Sequence, residues 1–177
     1  ENFRQPVYTK TARSTDTYAS IKDRCATQIS RLVEEYNSVK NDQQLLREIR
    51  NEIDYQLRRY HNYAIKENIG AHYIEVGLEG NGIFEHMIPA STVRDLCIAG
   101  IFSAEQALNV PTCRLSKQRD DLLREKGWVS KTPDIYNFWE RYKYCFDTEG
   151  VFTTWDGQTV NTDMTLEDHF AYFSIKS

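Results

Sequence analysis

An α+β fold is what this sequence predicts, with an N-terminal helical hairpin, a central ββα-like core with an enlarged loop, and a C-terminal helix plus small β-hairpin. Three observations carry that expectation. Apolar residues recur at helical spacing through the first third of the chain, the period changes to two between Ala71 and Pro89, and turn and cap signals alternate with short apolar runs thereafter. At 177 residues with 40% apolar and 12% aromatic content, one compact unit from 69 to 177, preceded by a helical arm over 1–68, is long enough to bury a core.

The arm is read from its stripes. Tyr18, Ile21, Cys25, Ile29, Leu32, Val33, Tyr36 and Val39 line one face of a helix from Ser14 to about Lys40. Asn41 reads as the N-cap of a second helix, whose stripe is Leu45, Ile49, Ile53, Leu57, Tyr60 and Ala64. So short a joint implies an antiparallel pair. Arg47, Arg50, Arg58 and Arg59 alternate with Glu48, Glu52 and Asp54, the pattern of a solvated helix face. The hairpin would dock on its own core, on a partner protein, or on a second copy as a homodimer.

In the centre, His72–Leu78 and Ile83–Ile88 alternate as strands around Glu79-Gly-Asn-Gly82, a hairpin loop whose glycines supply positive φ. Such a hairpin would set His72 on the strand facing Glu85 and His86. Pro89 ends the second strand, 92–99 reads as helix stopped by Gly100, and Ser103-Ala-Glu-Gln106 is a capping box for a short helix. Val110–Leu115 suits a buried strand, and Ser116 caps a helix over 117–126 that Gly127 ends.

Beyond Trp128, Thr132-Pro133-Asp134 marks a helix start, and Tyr136, Phe138, Trp139, Tyr142 and Phe146 load that helix with rings that read as core. Val151–Trp155, Asp156-Gly157 and Gln158–Val160 predict a tight hairpin. Thr165 to Asp168 caps a last helix, and that capping role accounts for the acid pair beside His169.

Chemistry concentrates in Glu85-His86 at the end of an apolar strand, Asn109 before the next strand, and Arg114, Lys117, Asp120 and Asp121 after it. A histidine can deprotonate water, a carboxylate can hold a hard cation, and an asparagine can orient an imidazole. Over about residues 71–127 this order resembles the HNH, or ββα-metal, endonucleases. The resemblance implies a metal-dependent phosphodiesterase acting on nucleic acid. His86 would be the general base and Asn109 its orienter. Glu85 with Asp120 or Asp121 would hold Mg²⁺ or Mn²⁺, and Arg114 or Lys117 would stabilise charge. Where the family places a further histidine, this chain has Lys117 and Gln118, and the interval from His86 to Asn109 is long for the family.

Other roles stand beside these. His86 also reads as a hydrogen-bonded structural residue, and Asn109 as the left-handed residue ending a helix. Adjacent strand residues such as Glu85 and His86 point to opposite faces unless the strand ends or bulges there. The net charge of −4 argues against a generally basic nucleic-acid binder. It favours a second expectation, a non-catalytic accessory or inhibitor protein that binds another protein through acidic and aromatic surfaces.

Walker, Gly-rich phosphate-loop and GxSxG patterns are absent, which removes P-loop NTPases and α/β-hydrolases. Cys25, Cys97, Cys113 and Cys145 form no CxxC pair, so neither a zinc knuckle nor a disulfide framework is encoded. Reduced thiols, a cytoplasmic setting and no membrane partner are expected, since no stretch approaches the roughly 20 apolar residues of a span. Cys113, inside an apolar strand, reads as packing rather than as a nucleophile.

Overall fold

The computed structural model describes residues 15–66, 71–173 and 175. The fold is α+β, seven helices and four strands among the described residues, and it divides into two compact units. One unit takes 71–89 and 110–173; the other takes 15–66 together with 90–109. By this grouping the two units interleave along the chain. The segment between the two central strands belongs with the N-terminal helices.

The helical unit is built on α1 (Thr15–Ser38) and α2 (Gln43–Lys66). Their facing stripes bury Cys25, Ile29 and Leu32 against Ile49, Ile53 and Leu57, the pattern that amphipathic spacing requires. Asn41 sits in the joint at φ 59°, and the cap is its neighbour, since Asp42 Oδ1 accepts from Leu45 N at 3.0 Å. Asn41 was the expected cap. The four-residue reversal between Ser38 and Gln43 includes one left-handed residue, a conformation asparagine tolerates, and that leaves the carboxylate of Asp42 to meet the orphan amide. Helices α3 (Ala90–Ile98) and α4 (Ala104–Leu108) pack on this pair and bury Val93, Cys97, Ala107 and Leu108. Arg94 Nη1 reaches Asp54 Oδ2 on α2 at 2.8 Å, and Asn37 Nδ2 donates to Ile98 O at 3.3 Å. The Ser103–Gln106 capping box is formed as expected. Along α1 and α2, and throughout the other described helices, no helix is long and apolar enough to cross a membrane.

The other unit holds a four-stranded sheet of β1 (Tyr73–Glu75), β2 (Ile83–His86), β3 (Thr112–Leu115) and β4 (Phe152–Thr154), in the order β2-β3-β1-β4. β1 and β2 do not pair. β3 lies between them, parallel to β1 and antiparallel to β2. The expected hairpin is overturned because β3, buried at all four positions, takes the centre of the sheet. The loop from β1 to β2 instead passes the end of β3, where Arg114 Nη1 donates to Asn81 O at 3.1 Å.

β3 runs into α5 (Lys117–Glu125), with Ser116 Oγ accepting from Arg119 N as the cap. Antiparallel β2 and β3 followed by α5 form a ββα element, with α3 and α4 in its loop. The long aromatic helix expected after Pro133 is regular only over α6 (Glu140–Lys143). Asp134 turns the chain before it, its Oδ1 accepting from Tyr136 N at 2.8 Å. The last predicted hairpin shrinks to β4 and one bridge, Thr153 to Thr159. α7 (Leu166–Tyr172) carries the expected Thr165–Asp168 capping box.

Candidate functional site

Alternation along β2 sends Ile83 and Glu85 to one face of the sheet and Phe84 and His86 to the other. Register places Glu85 opposite Cys113 and His86 opposite Thr112. The two residues that the nuclease resemblance pairs are therefore on opposite faces.

On the first face, Glu85 is buried beneath α6. Arg141, with no exposed surface, donates from Nη2 to Glu85 Oε1 and to Val129 O at 2.6 Å, from Nη1 to His86 O at 2.7 Å and Met87 O at 3.1 Å, and from Nε to Trp128 O at 2.6 Å. All five guanidinium donors are thus used. Tyr142 donates to the other oxygen of Glu85 at 3.2 Å and receives the thiol of Cys113 at 3.7 Å. Burial pushes the Glu85 carboxyl up to about 7, against the pull of Arg141 and the Tyr142 hydroxyl, and the nearby charge of Asp120 pushes the same way. Burial lifts the Cys113 thiol well above its ordinary value, with the charge of Glu85 adding to it. The sulfur is a packed thiol, as its strand position implies.

On the second face, the ring of His86 meets Phe84 edge to face at 5.7 Å between centroids. Burial pulls the imidazole down to about 4, and the charge of Arg141 pulls it further in the same direction. It is neutral at pH 7. Arg114 extends over Phe84 on this face, its Cζ 5.3 Å from the ring centre, so that its charge is shared between a carbonyl and a ring.

The remaining candidates are placed elsewhere. Asn109 ends α4 in the helical unit, its Nδ2 donating to Glu105 O at 2.8 Å. Its φ of −116° makes it a cap, but not a left-handed one. Lys117 and Asp121 are exposed and paired at 2.8 Å along α5. Asp120 is buried and bound to Arg124 Nε at 3.0 Å.

The proposed cation ligands fail a test of fit. Glu85 holds a guanidinium and a hydroxyl, Asp120 a second guanidinium and Asp121 an ammonium, so each carboxylate that the resemblance assigns already faces a positive group or a donor. A divalent ion at Glu85 would sit against the fixed charge of Arg141. Among the described residues, no group of three or more His, Cys, Asp or Glu is gathered to hold a metal.

Several residues that organise this unit were not singled out from sequence. Arg141 lies three positions after Phe138, on the face that the rings mark as buried, and that spacing was the available signal. Glu75 Oε1 accepts from both the amide and the hydroxyl of Ser116 at 3.1 Å, with Arg119 Nη1 3.3 Å from Oε2, so it secures the start of α5. His169 is fully buried, its Nδ1 2.7 Å from Tyr73 Oη and its ring 4.7 Å from that of His72. His72 Nδ1 in turn lies 2.8 Å from Thr112 Oγ1. These two histidines join β1, β3 and α7 into a packed polar box.

Comparison with protein-family models, with curated proteins and with solved structures finds no match.

Proposed function

We propose that this chain is a non-catalytic binding protein built on a ββα element. The Glu85–Arg141 contact carries the proposal. In a metal-dependent phosphodiesterase the acid beside the histidine holds the cation, whereas here it neutralises a buried guanidinium that also ties down Trp128 and Val129. His86 faces away from that carboxylate, and an imidazole pulled down to about 4 is a weak base for water at pH 7. Exposed Tyr136 and Tyr144 provide ring surface on the same unit, in keeping with an accessory or inhibitor protein that works by contact.

The test is cleavage and metal response together. Full-length protein, wild type and His86→Ala, is incubated with supercoiled plasmid and with single-stranded RNA in Mg²⁺ or Mn²⁺, and its thermal melt is followed as metal is added. Both proteins should leave the substrates intact. The melt should not move, because only an ion that binds the folded state raises its stability. Metal-dependent cleavage that disappears in His86→Ala would overturn the proposal.

The second reading, an HNH-like phosphodiesterase of nucleic acid using Mg²⁺ or Mn²⁺, is favoured by one observation. β2, β3 and α5 follow one another in ββα order, and α5 brings Asp120 within electrostatic range of Glu85. In that reading His86 is the base, and its loss would reduce the rate by about 10²–10⁴-fold.

A further inference from the structure

A flat aromatic pair joins the surface loop after α5 to the C-terminal end of α6. Trp128 and Tyr144 are stacked at 5.4 Å between centroids with 13° between their planes, whereas most ring contacts in the buried core of this unit are tilted or edge to face. Tyr144 remains 60% exposed. Lys131 Nζ lies over the Trp128 ring, 5.3 Å from its centre. Glu140, four residues before Tyr144, has its carboxylate 3.5 Å from Lys143 Nζ.

The platform is held from below. Trp128 O accepts from Arg141 Nε at 2.6 Å, Val129 O from its Nη2 at 2.6 Å, and Trp128 N donates to Leu123 O at 2.9 Å. The start of the loop, where Trp128 sits, is thereby fixed to the buried arginine and to α5, so little backbone ordering remains to be done there when a ligand arrives.

We propose that the exposed side of Tyr144, backed by Trp128 with Lys131 over that second ring, is a stacking platform for single-stranded nucleic acid. A planar base continues the parallel stack on the Tyr144 side, and the ammonium of Lys131 over Trp128 suits a backbone phosphate. One local cation is compatible with the acidic net charge because single-strand binding through stacking needs no basic face over the whole protein. A protein partner would also use exposed rings, but it has no need of parallel planes with a cation over one of them.

The inference rests on the binding reading and names its ligand. It is tested with the full chain and a fluorescein-labelled oligo-dT of about one OB-fold site size, roughly 16 nucleotides, by anisotropy and tryptophan quenching at low salt. Binding is expected, with duplex DNA of equal length a poorer competitor. Tyr144→Ala should weaken it roughly tenfold, the scale of one lost stacking contact, while Tyr144→Phe keeps the wild-type affinity. Lys131→Ala should lower the salt slope by about one. Tyr144 is at the surface, so thermal melts of the variants should overlay that of the wild type.

Absence of binding to oligo-dT and to oligo-rU at low salt, or Tyr144→Ala binding like the wild type, overturns the platform. A platform that serves a protein partner gives the first of those results. Cleavage in metal would instead sink the binding reading itself, so the two failures are distinguishable.

Discussion

The Arg141 guanidinium and the Glu85 carboxylate form a buried ion pair that links α6 to the end of β2, and the same guanidinium accepts no solvent contact at all. Its other donors reach four backbone carbonyls on two separate loops. One side chain therefore does for this unit what several turns of regular hydrogen bonding would do, and removing it strands both a buried acid and the carbonyls.

Arg141→Met should destabilise the fold by about 3–5 kcal/mol, the range for breaking a buried pair at one partner. Glu85→Gln should cost less, since the amide oxygen still accepts from Arg141 or Tyr142. In urea unfolding the double variant should cost less than the two single costs added together, because the stranded acid is then gone. Strict additivity would show that the pair is not coupled.

The two neighbours on β2 should titrate in opposition. Glu85 moves from 4.5 up to about 7 on folding, so its contribution to stability is full below pH 4.5 and is lost as pH rises through about 7. His86 moves from 6.5 down to about 4, so its contribution is full above pH 6.5 and is lost as pH falls through about 4. Between about pH 4.5 and 6.5 the two slopes cancel. Glu85→Gln should expose a stability that rises with pH, and His86→Gln one that falls, each on the order of 1 kcal/mol per unit. Denaturant midpoints across that window check the signs, and slopes of the same sign in both variants would contradict the assignment.

Gly82 is fixed by space as well as by conformation. At φ +61°, a Cβ there would stand 2.6 Å from Leu115 O and 2.8 Å from the Leu78 side chain, while at Gly80, φ +69°, nothing lies within 4 Å. Gly80→Ala should cost about 1 kcal/mol of backbone strain. Gly82→Ala should cost about 2–3 kcal/mol, because the backbone of β3 cannot yield as a side chain would. Equal midpoints for the two variants would show that the loop relaxes freely.

Removal of residues 1–68 should not release a well-behaved core. It takes away α1 and α2, against which α3 and α4 bury Val93, Cys97, Ala107 and Leu108. The remainder should aggregate or bind hydrophobic dye. A soluble, cooperatively melting remainder that has only lost self-association would indicate a separate dimerisation module instead.

Much of the local structure was legible in the chain. The stripes of α1 and α2, the capping boxes at Ser103 and Thr165 and the cap at Ser116 are set by residues within a few positions of one another, so neighbouring side chains and amides suffice to specify them. Uniform burial of β3 also followed from its apolar run. The partners of that strand did not. β1 and β2 carry the alternation and the glycine loop of a hairpin, and only the competition for a central place in the sheet, taken by the strand that is buried at every position, separates them.

The candidate site divides along the same line. Spacing in sequence placed Glu85, His86, Asn109 and Asp120 in a plausible order, and the period of a strand already warned that Glu85 and His86 face apart. What the sequence could not determine is which charge each acid meets. Arg141 lies far along the chain from Glu85 and was hidden among rings, and the energy of a buried charge is decided by the groups within a few ångströms of it. Residue types and local spacing fixed the elements; the neighbours of Glu85 and His86 exist only once the sheet has closed beneath α6.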